Sequence, residues 1–119
     1  MSKRVEMRNC DLTLTTTVEE NRTQVKQSGK LRSSEAETTL VYNEAQATVF
    51  IKFLKDTVII ERQGDYSLYI PLEKGKIKTG TLGIGGSEGE ILVETHAIGY
   101  SLSKTALLAS LSYTLHFSG

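Results

Sequence analysis

The chain has 119 residues and a mass of 13.1 kDa, near the usual size of one domain with one modest core. Fourteen Lys and Arg balance fourteen Asp and Glu, so the formal net charge is +0 and no positive field is available to hold nucleic acid. The longest apolar stretches, such as Ala106–Ala109, are far shorter than the about 20 residues of a membrane span. We therefore predict a single domain over 1–119 with neither nucleic acid nor a membrane as its partner.

The N-terminal residues and the cysteine content both bear on the compartment. Met1–Cys10 contains four charged residues where a signal peptide would need an apolar run. Cys10 is the only cysteine, so an intrachain disulfide is excluded. Both features predict a reducing, cytoplasmic location.

The composition favours β-strands, because Thr, Ile and Val together make 29 of the 119 residues while Ala occurs only six times. Runs with a period of two, separated by polar turns, predict nine strands in chain order. These are Cys10–Glu19, Thr23–Ser33, Glu37–Asn43, Ala47–Leu54, Thr57–Gln63, Tyr66–Leu72, Lys76–Gly83, Glu90–Leu102 and Ala106–Phe117. Their even spacing is typical of a meander that closes into a barrel or folds into a sandwich.

Three features qualify this strand pattern. Ser34 with Glu37 could form a capping box. Leu107, Leu111 and Leu115 in the last run also fit a helical stripe. A short helix is therefore an alternative both near Ser34 and in the last run. Pro71, the single proline, must lie at a sheet edge or where its missing N–H faces no ladder partner.

We expect hairpin registers that place apolar residues opposite each other, because a one-residue slip reverses both faces of a strand. In the last hairpin, with the loop at Ser103–Thr105, five pairs then share the inner face. They are Ile91 with Phe117, Val93 with Leu115, Thr95 with Tyr113, Ala97 with Leu111, and Gly99 with Ala109. This register places both histidines on the outer face, with His96 opposite Ser112.

Three other hairpins give the same inner face. A Lys55–Asp56 loop pairs Phe53 with Val58, Ile51 with Ile60, and Val49 with Arg62. An Asn21–Arg22 loop pairs Val18 with Val25, Thr16 with Gln27, Leu14 with Gly29, and Leu12 with Leu31. A Lys74–Gly75 loop pairs Leu72 with Ile77. With one apolar and one polar face, we predict a closed, antiparallel, up-and-down barrel of eight to ten strands.

The C-terminal half resembles a known family over about Thr57–Phe117. The residues that carry the resemblance are Arg62-Gln63-Gly64, the Gly75 turn, Gly89 followed by Ile91 to His96, and Ser112-Tyr113-Thr114-Leu115. They are similar to the YwiB-type family of small bacterial proteins of unassigned function. The resemblance implies a calycin-like, that is lipocalin-like, β-barrel and a cytoplasmic location, but no activity. Gly85-Gly86-Ser87-Glu88-Gly89 departs from the family's Thr-Pro-aromatic-Gly turn, so no role for that turn carries over.

The predicted inner face contains four polar residues that could bind a ligand: Arg62, Tyr113, Thr95 and Gln27. A barrel of about eight strands can hold one small molecule. An arginine and a tyrosine in an apolar interior suit a small apolar molecule or one with a carboxylate head. The alternative is structural: Arg62 caps an end of the barrel by bonding to backbone carbonyls.

No catalytic residue, metal site or cofactor is predicted. His96 and His116 would lie about 13 Å apart at roughly 3.3 Å per residue, too far for one metal ion. The glycines from Gly80 to Gly86 match no phosphate-binding motif and indicate a hairpin loop or bulge. Three lysines near Glu73 indicate a solvated strand face; they are Lys74, Lys76 and Lys78.

The strand Ala47–Leu54 is apolar on both sides, because Phe50 and Leu54 share the face opposite Val49 and Ile51. The N-terminal segment, a short helix near Ser34, or a second copy in a homodimer could cover this face. The second functional hypothesis is therefore a non-catalytic structural or interaction barrel with a filled core, acting through the surface around Phe50.

Overall fold

The computed structural model describes residues 6–18, 21–34, 37–102 and 107–117. In parts of the first two strands, at the end of the eighth strand and at the start of the ninth, it describes the backbone only. These residues form one antiparallel sheet. Its strands are β1 (Glu6–Val18), β2 (Asn21–Ser33), β3 (Thr38–Glu44), β4 (Ala47–Phe53), β5 (Val58–Gly64), β6 (Tyr66–Leu72), β7 (Ile77–Ile84), β8 (Ser87–Leu102) and β9 (Leu107–Phe117). The nine predicted strands are confirmed, with shifts at their ends.

Each strand pairs with its neighbours in sequence, so the sheet order is β1 to β9 without a crossover. Among the described residues no ladder joins β9 to β1, and closure of the sheet stays a prediction. The helical alternative for the last run is wrong, because its leucine stripe lies within β9. Near Ser34, the Glu37 N–H donates to the Ser34 Oγ over 3.4 Å and the Ser34 N–H donates to the Glu37 carbonyl over 2.9 Å, while residues 35–36 lie outside the described part of the chain.

One face of the sheet carries the hydrophobic core. Val58, Leu72 and Val93 are completely buried, and burial of each aliphatic side chain contributes about 1.5–3 kcal/mol. The remaining buried apolar residues are Leu31, Leu40, Tyr42, Val49, Ile51, Phe53, Ile70 and Ile91. Residues of β1, β5, β7 and β9 pack against this cluster, so the sheet curls around one core.

A contact between β8 and β4 shows the curl directly. The rings of Tyr100 and Phe53 lie 4.9 Å apart at 50°, and the Tyr100 hydroxyl donates to the Leu54 carbonyl over 3.1 Å. Three strands separate β8 from β4 in the sheet order. A flat sheet would hold them well apart, because neighbouring strands are spaced by about 4.8 Å.

The β4–β5 register is confirmed, whereas that of β1–β2 is wrong by four residues. Leu14 pairs with Val25 rather than Gly29, and Asn21, which was predicted to lie in the loop, pairs with Val18. A shift by an even number leaves every residue on its original face. The apolar pattern therefore cannot distinguish the two registers.

The predicted pairing of Leu72 with Ile77 is also wrong. The β6–β7 ladder ends at Tyr69, and Ile77 is 64% exposed. Pro71, two residues further along, has no N–H to continue a ladder, as the sequence predicted for its position. The chain after the Gly75 turn binds β8 instead, because the Gly75 N–H donates to the Thr95 carbonyl over 3.1 Å.

A β-bulge at His96 changes the face of β8. The predicted register is confirmed from Ile91 to Thr95, but the bulge then inserts one extra residue. The predicted pairs of Ala97 with Leu111 and Gly99 with Ala109 are therefore wrong. The observed partners of Leu111 and Ala109 are Ile98 and Tyr100, while Ala97 and Gly99 are exposed.

Candidate functional site

Arg62 lies on the concave face near the end of β5 and is 8% exposed. Its Nε lies 3.3 Å from the Glu44 carboxylate, and its Nη1 lies 2.8 Å from that of Asp65. Nη1 also donates to the Tyr66 carbonyl over 2.7 Å, while the guanidinium carbon stacks 3.6 Å from the Tyr66 ring centroid. These four residues, Arg62, Glu44, Asp65 and Tyr66, form what we call the arginine clamp.

The contacts within the arginine clamp favour the charged forms of Arg62 and Asp65. Burial lowers the pKa of Arg62, but the hydrogen bonds that Arg62 donates to Asp65 and Glu44 outweigh burial and leave the pKa raised. The same hydrogen bond from Arg62 lowers the pKa of Asp65. The bond to the Tyr66 carbonyl matches the structural alternative predicted from the sequence, in which Arg62 caps one end of the barrel by bonding to backbone carbonyls. A head-group role for Arg62 stays a prediction.

Thr95 and Tyr113 face each other across β8 and β9 on the concave side. Thr95 is 3% exposed, and its Oγ1 has no hydrogen-bond partner among the described residues. Tyr113 is 36% exposed, yet burial raises the pKa of its phenol. Because Tyr113 pairs with the buried Thr95, its side chain projects from the same, concave face of the sheet.

Tyr42 on β3 is the third inner polar residue, and it was not among the predicted site residues. Burial raises its pKa to about 12, and the charges of Glu44 and Tyr113 add to the effect. Tyr42 thus lies within electrostatic reach of both Tyr113 and the arginine clamp. We call Tyr42, Thr95 and Tyr113 the inner polar wall. The alternation along β3 could have revealed Tyr42, because Leu40 and Tyr42 lie on the same face and Tyr42 pairs with the inner residue Val49 of β4.

Gln27 was the fourth predicted site residue. Its backbone pairs with Leu12 on β1, rather than with Thr16 as predicted, and its side chain lies outside the described residues. The structure therefore brings Thr95 and Tyr113 together and places Arg62 in a separate cluster. Glu44 connects the two groups, since it contacts Arg62 and raises the pKa of Tyr42.

A cleft of about 370 Å³ opens at the end of the sheet that carries the β4–β5 turn. We call it the rim cleft. It was not predicted, because its wall depends on the bulge at His96, which no sequence pattern revealed. Its lining residues are Leu54, Lys55, Asp56, Thr57, Val58, Lys74, Ile98, Gly99 and Tyr100.

Both histidines are exposed, as predicted. His96 Nε2 lies 2.8 Å from the Thr114 hydroxyl, and His116 Nε2 lies 3.1 Å from the Glu94 carboxylate. The predicted pairing of His96 with Ser112 is wrong, since the bulge gives that partner to Ala97. Across the described ranges, no group of three His, Cys, Asp or Glu side chains could hold a metal ion.

The other charged and glycine-rich segments have structural roles. Glu73 forms salt bridges with Lys76 and Lys78, which lower the pKa of its carboxylate. Gly85 and Gly86 have φ angles of 56° and 86°, so they form a tight hairpin turn that favours glycine, as predicted.

A nine-stranded antiparallel meander, curled around one core with a polar wall on its concave side, defines the class of this protein. The family model described as "Domain of unknown function (DUF1934)" matches residues 10–119, and the chain belongs to this family. The crystal structure of ywiB protein from Bacillus subtilis is similar in fold, with a TM-score of 0.77 at 15% sequence identity. That similarity covers 96% of this chain and 85% of the other, and it confirms the YwiB-type resemblance.

Two further findings complete the comparison. No curated protein matches the chain. Within the described part of the chain, no helix has the length and apolar character needed to cross a bilayer.

Proposed function

We propose that this protein is a non-catalytic binding protein that holds a small amphipathic molecule against the inner polar wall. The observation that carries the proposal is the Thr95 hydroxyl, which is buried without a protein partner among the described residues. Burying an unpaired hydroxyl costs about 1–3 kcal/mol. Such a group is retained where a bound molecule or an ordered water supplies its partner.

The surroundings of Thr95 favour an amphipathic ligand. Tyr42 and Tyr113 have raised pKa values, so both phenols stay protonated at neutral pH and can donate to a carbonyl or carboxylate. Ile91 and Val93 precede Thr95 on the same face and are buried, which suits an apolar tail.

The proposal gives Arg62 a conditional role. Two carboxylates already neutralise its guanidinium, so an anionic head group would have to exchange with one of them. Glu44 is the candidate for this exchange, because its carboxylate lies 3.3 Å from the guanidinium against 2.8 Å for Asp65, and because it also influences Tyr42. Gln27 stays in the proposal as a predicted neighbour of the head group.

We also propose that the sheet closes into a calycin-like barrel, and that the protein is cytoplasmic. Closure is supported by Tyr100 on β8, which contacts Phe53 on β4, and by the electrostatic effect of Tyr113 on β9 on Tyr42 in β3. In both pairs a residue of the last two strands, β8 or β9, lies near a residue of β4 or β3, which are distant in the strand order. A closed sheet of this size can hold one small ligand and leaves no exposed edge.

Native mass spectrometry of protein purified from its own cells tests the binding function. We expect a co-purifying small molecule with the wild type and its loss from the double variant Thr95→Val/Tyr113→Phe. Glu90→Gln, an exposed change on β8, serves as the control and should retain the molecule. A wild type that carries no small molecule, with a second subunit or without one, would contradict the proposal.

A second candidate function is the structural or interaction protein. Specific observations favour it: Ile77 and Leu92 are 64% and 49% exposed, and they lie at diagonal positions of β7 and β8, since Ile77 pairs with Glu94 and Leu92 with Thr79. The surface around Phe50 is half-buried by comparison. Sedimentation at micromolar concentration separates the two surfaces: a dimer that Phe50→Ser dissociates supports the predicted homodimer, whereas one that only Ile77→Ser dissociates supports the β7–β8 surface.

A further inference from the structure

The rim cleft owes its shape to the bulge at His96. Regular alternation after Thr95 would have turned Ala97 and Gly99 toward the concave side. The extra residue turns Ile98 and Tyr100 there instead, and both line the cleft. Bulges are frequent next to binding sites, where they redirect side chains.

The apolar part of the cleft is held rigidly. Val58 is completely buried, and Leu54 and Ile98 are half-buried beside it. Tyr100 is fixed at both ends, because its hydroxyl donates to the Leu54 carbonyl and its ring packs on Phe53. A flat body that enters the cleft would therefore meet preformed apolar walls, which reduces the entropic cost of binding.

The charges at the cleft are predominantly positive. Lys55 and Lys74 line it together with a single carboxylate, that of Asp56. Glu73, adjacent in sequence to Lys74, is occupied by Lys76 and Lys78. In the described ranges no salt bridge engages either cleft lysine, so both ammonium groups are available to an anion.

We propose that the rim cleft binds a small organic anion with an aromatic or short apolar body. Its volume of about 370 Å³ lies near the lower end of the range for small-molecule sites, about 300–1,000 Å³. Two lysines would repel a metal cation and attract a carboxylate or sulfonate. This site goes beyond the function proposed above, because neither Thr95 nor Tyr113 lines the cleft.

The test uses a matched pair of fluorescent probes on the full chain. Anilinonaphthalene sulfonate has an aromatic body and an anionic group, whereas N-phenyl-1-naphthylamine is a similar body without the charge. The charge-reversed variant is Lys55→Glu/Lys74→Glu. The control is Lys26→Glu/Lys30→Glu, which changes the net charge equally at exposed positions of β2.

We expect the charge-reversed variant to bind the sulfonate at least tenfold more weakly than wild type and to bind the neutral probe within twofold. The control variant should bind both probes within twofold of wild type. Amide shifts of Ile98 and Tyr100 should respond to the sulfonate in wild type. The proposal is overturned if wild type does not bind the sulfonate, if both double variants lose affinity equally, or if the shifts map elsewhere.

Discussion

Replacement of Thr95 by valine tests the energetic basis of the binding proposal. Thr95 is 3% exposed and its hydroxyl has no partner among the described residues. Valine has nearly the same shape but no group to leave unpaired, and it suits a β-strand equally well. Removal of the unmet hydroxyl should therefore stabilise ligand-free protein by about 1–2 kcal/mol.

The stabilisation is measurable by urea unfolding of protein refolded from denaturant to remove bound molecules. For a domain of this size, a gain of about 1 kcal/mol raises Tm by roughly 3–6 °C. The slope of the unfolding free energy against urea concentration should not change. Thr95→Ser is the matched control: it keeps the hydroxyl, loses a methyl group, and should be less stable by about 0.5–1.5 kcal/mol. If valine destabilises the protein by more than about 1 kcal/mol while serine does not, the hydroxyl is already paired and the reasoning fails.

Four further predictions follow from the same structure. The pKa of Tyr42 is raised to about 12 from an ordinary 10.0, so the stability that its protonated phenol contributes is present below pH 10 and is lost as pH rises toward 12. Alkaline unfolding of Tyr42→Phe should lack this loss, and an unchanged profile would refute it. The pKa of Asp65 is lowered, so its stabilisation is present above the ordinary carboxyl pKa and lost as pH falls through the folded value. Asp65→Asn should then unfold with a weaker acid dependence; an acid midpoint and slope equal to those of wild type would contradict this. Leu72→Ala should cost about 2–5 kcal/mol in urea unfolding and the exposed Leu92→Ala less than about 1 kcal/mol, and similar costs would disprove the inner face. Deletion of His96 should restore regular alternation and abolish sulfonate binding at the rim cleft, so retained affinity would show that the bulge does not build it.

The sequence predicted the nine strands because nearly every strand buries one face only. Alternation therefore marks both the strand and its inner side, as at Val49, Ile51 and Phe53. The same signal cannot detect a register shift by an even number of residues, which is why β1 and β2 were misaligned by four. Pro71 pairs with Ile59 of β5 but has no partner on β7, which fits the prediction that its missing N–H faces no ladder partner. The consequence for Ile77 depended on β8, which pairs with the other side of β7.

The candidate site was predicted less completely than the fold. Thr95, Tyr113 and Arg62 lie on the concave side as alternation indicates, since all three precede the bulge or lie on other strands. The acidic partners of Arg62 come from the last residue of β3, Glu44, and from the bend at Asp65, and neither a strand end nor a bend carries a periodic signal. The bulge at His96 has no glycine to mark it, so the rim cleft could not be inferred.

The most direct test of the binding function is a high-resolution crystal structure of protein purified from its own cells without refolding. We predict electron density for a small molecule within hydrogen-bond distance of both the Thr95 hydroxyl and the Tyr113 phenol. Density that instead shows protein side chains filling this space, with the Thr95 hydroxyl bonded to a backbone carbonyl, would contradict the proposed function.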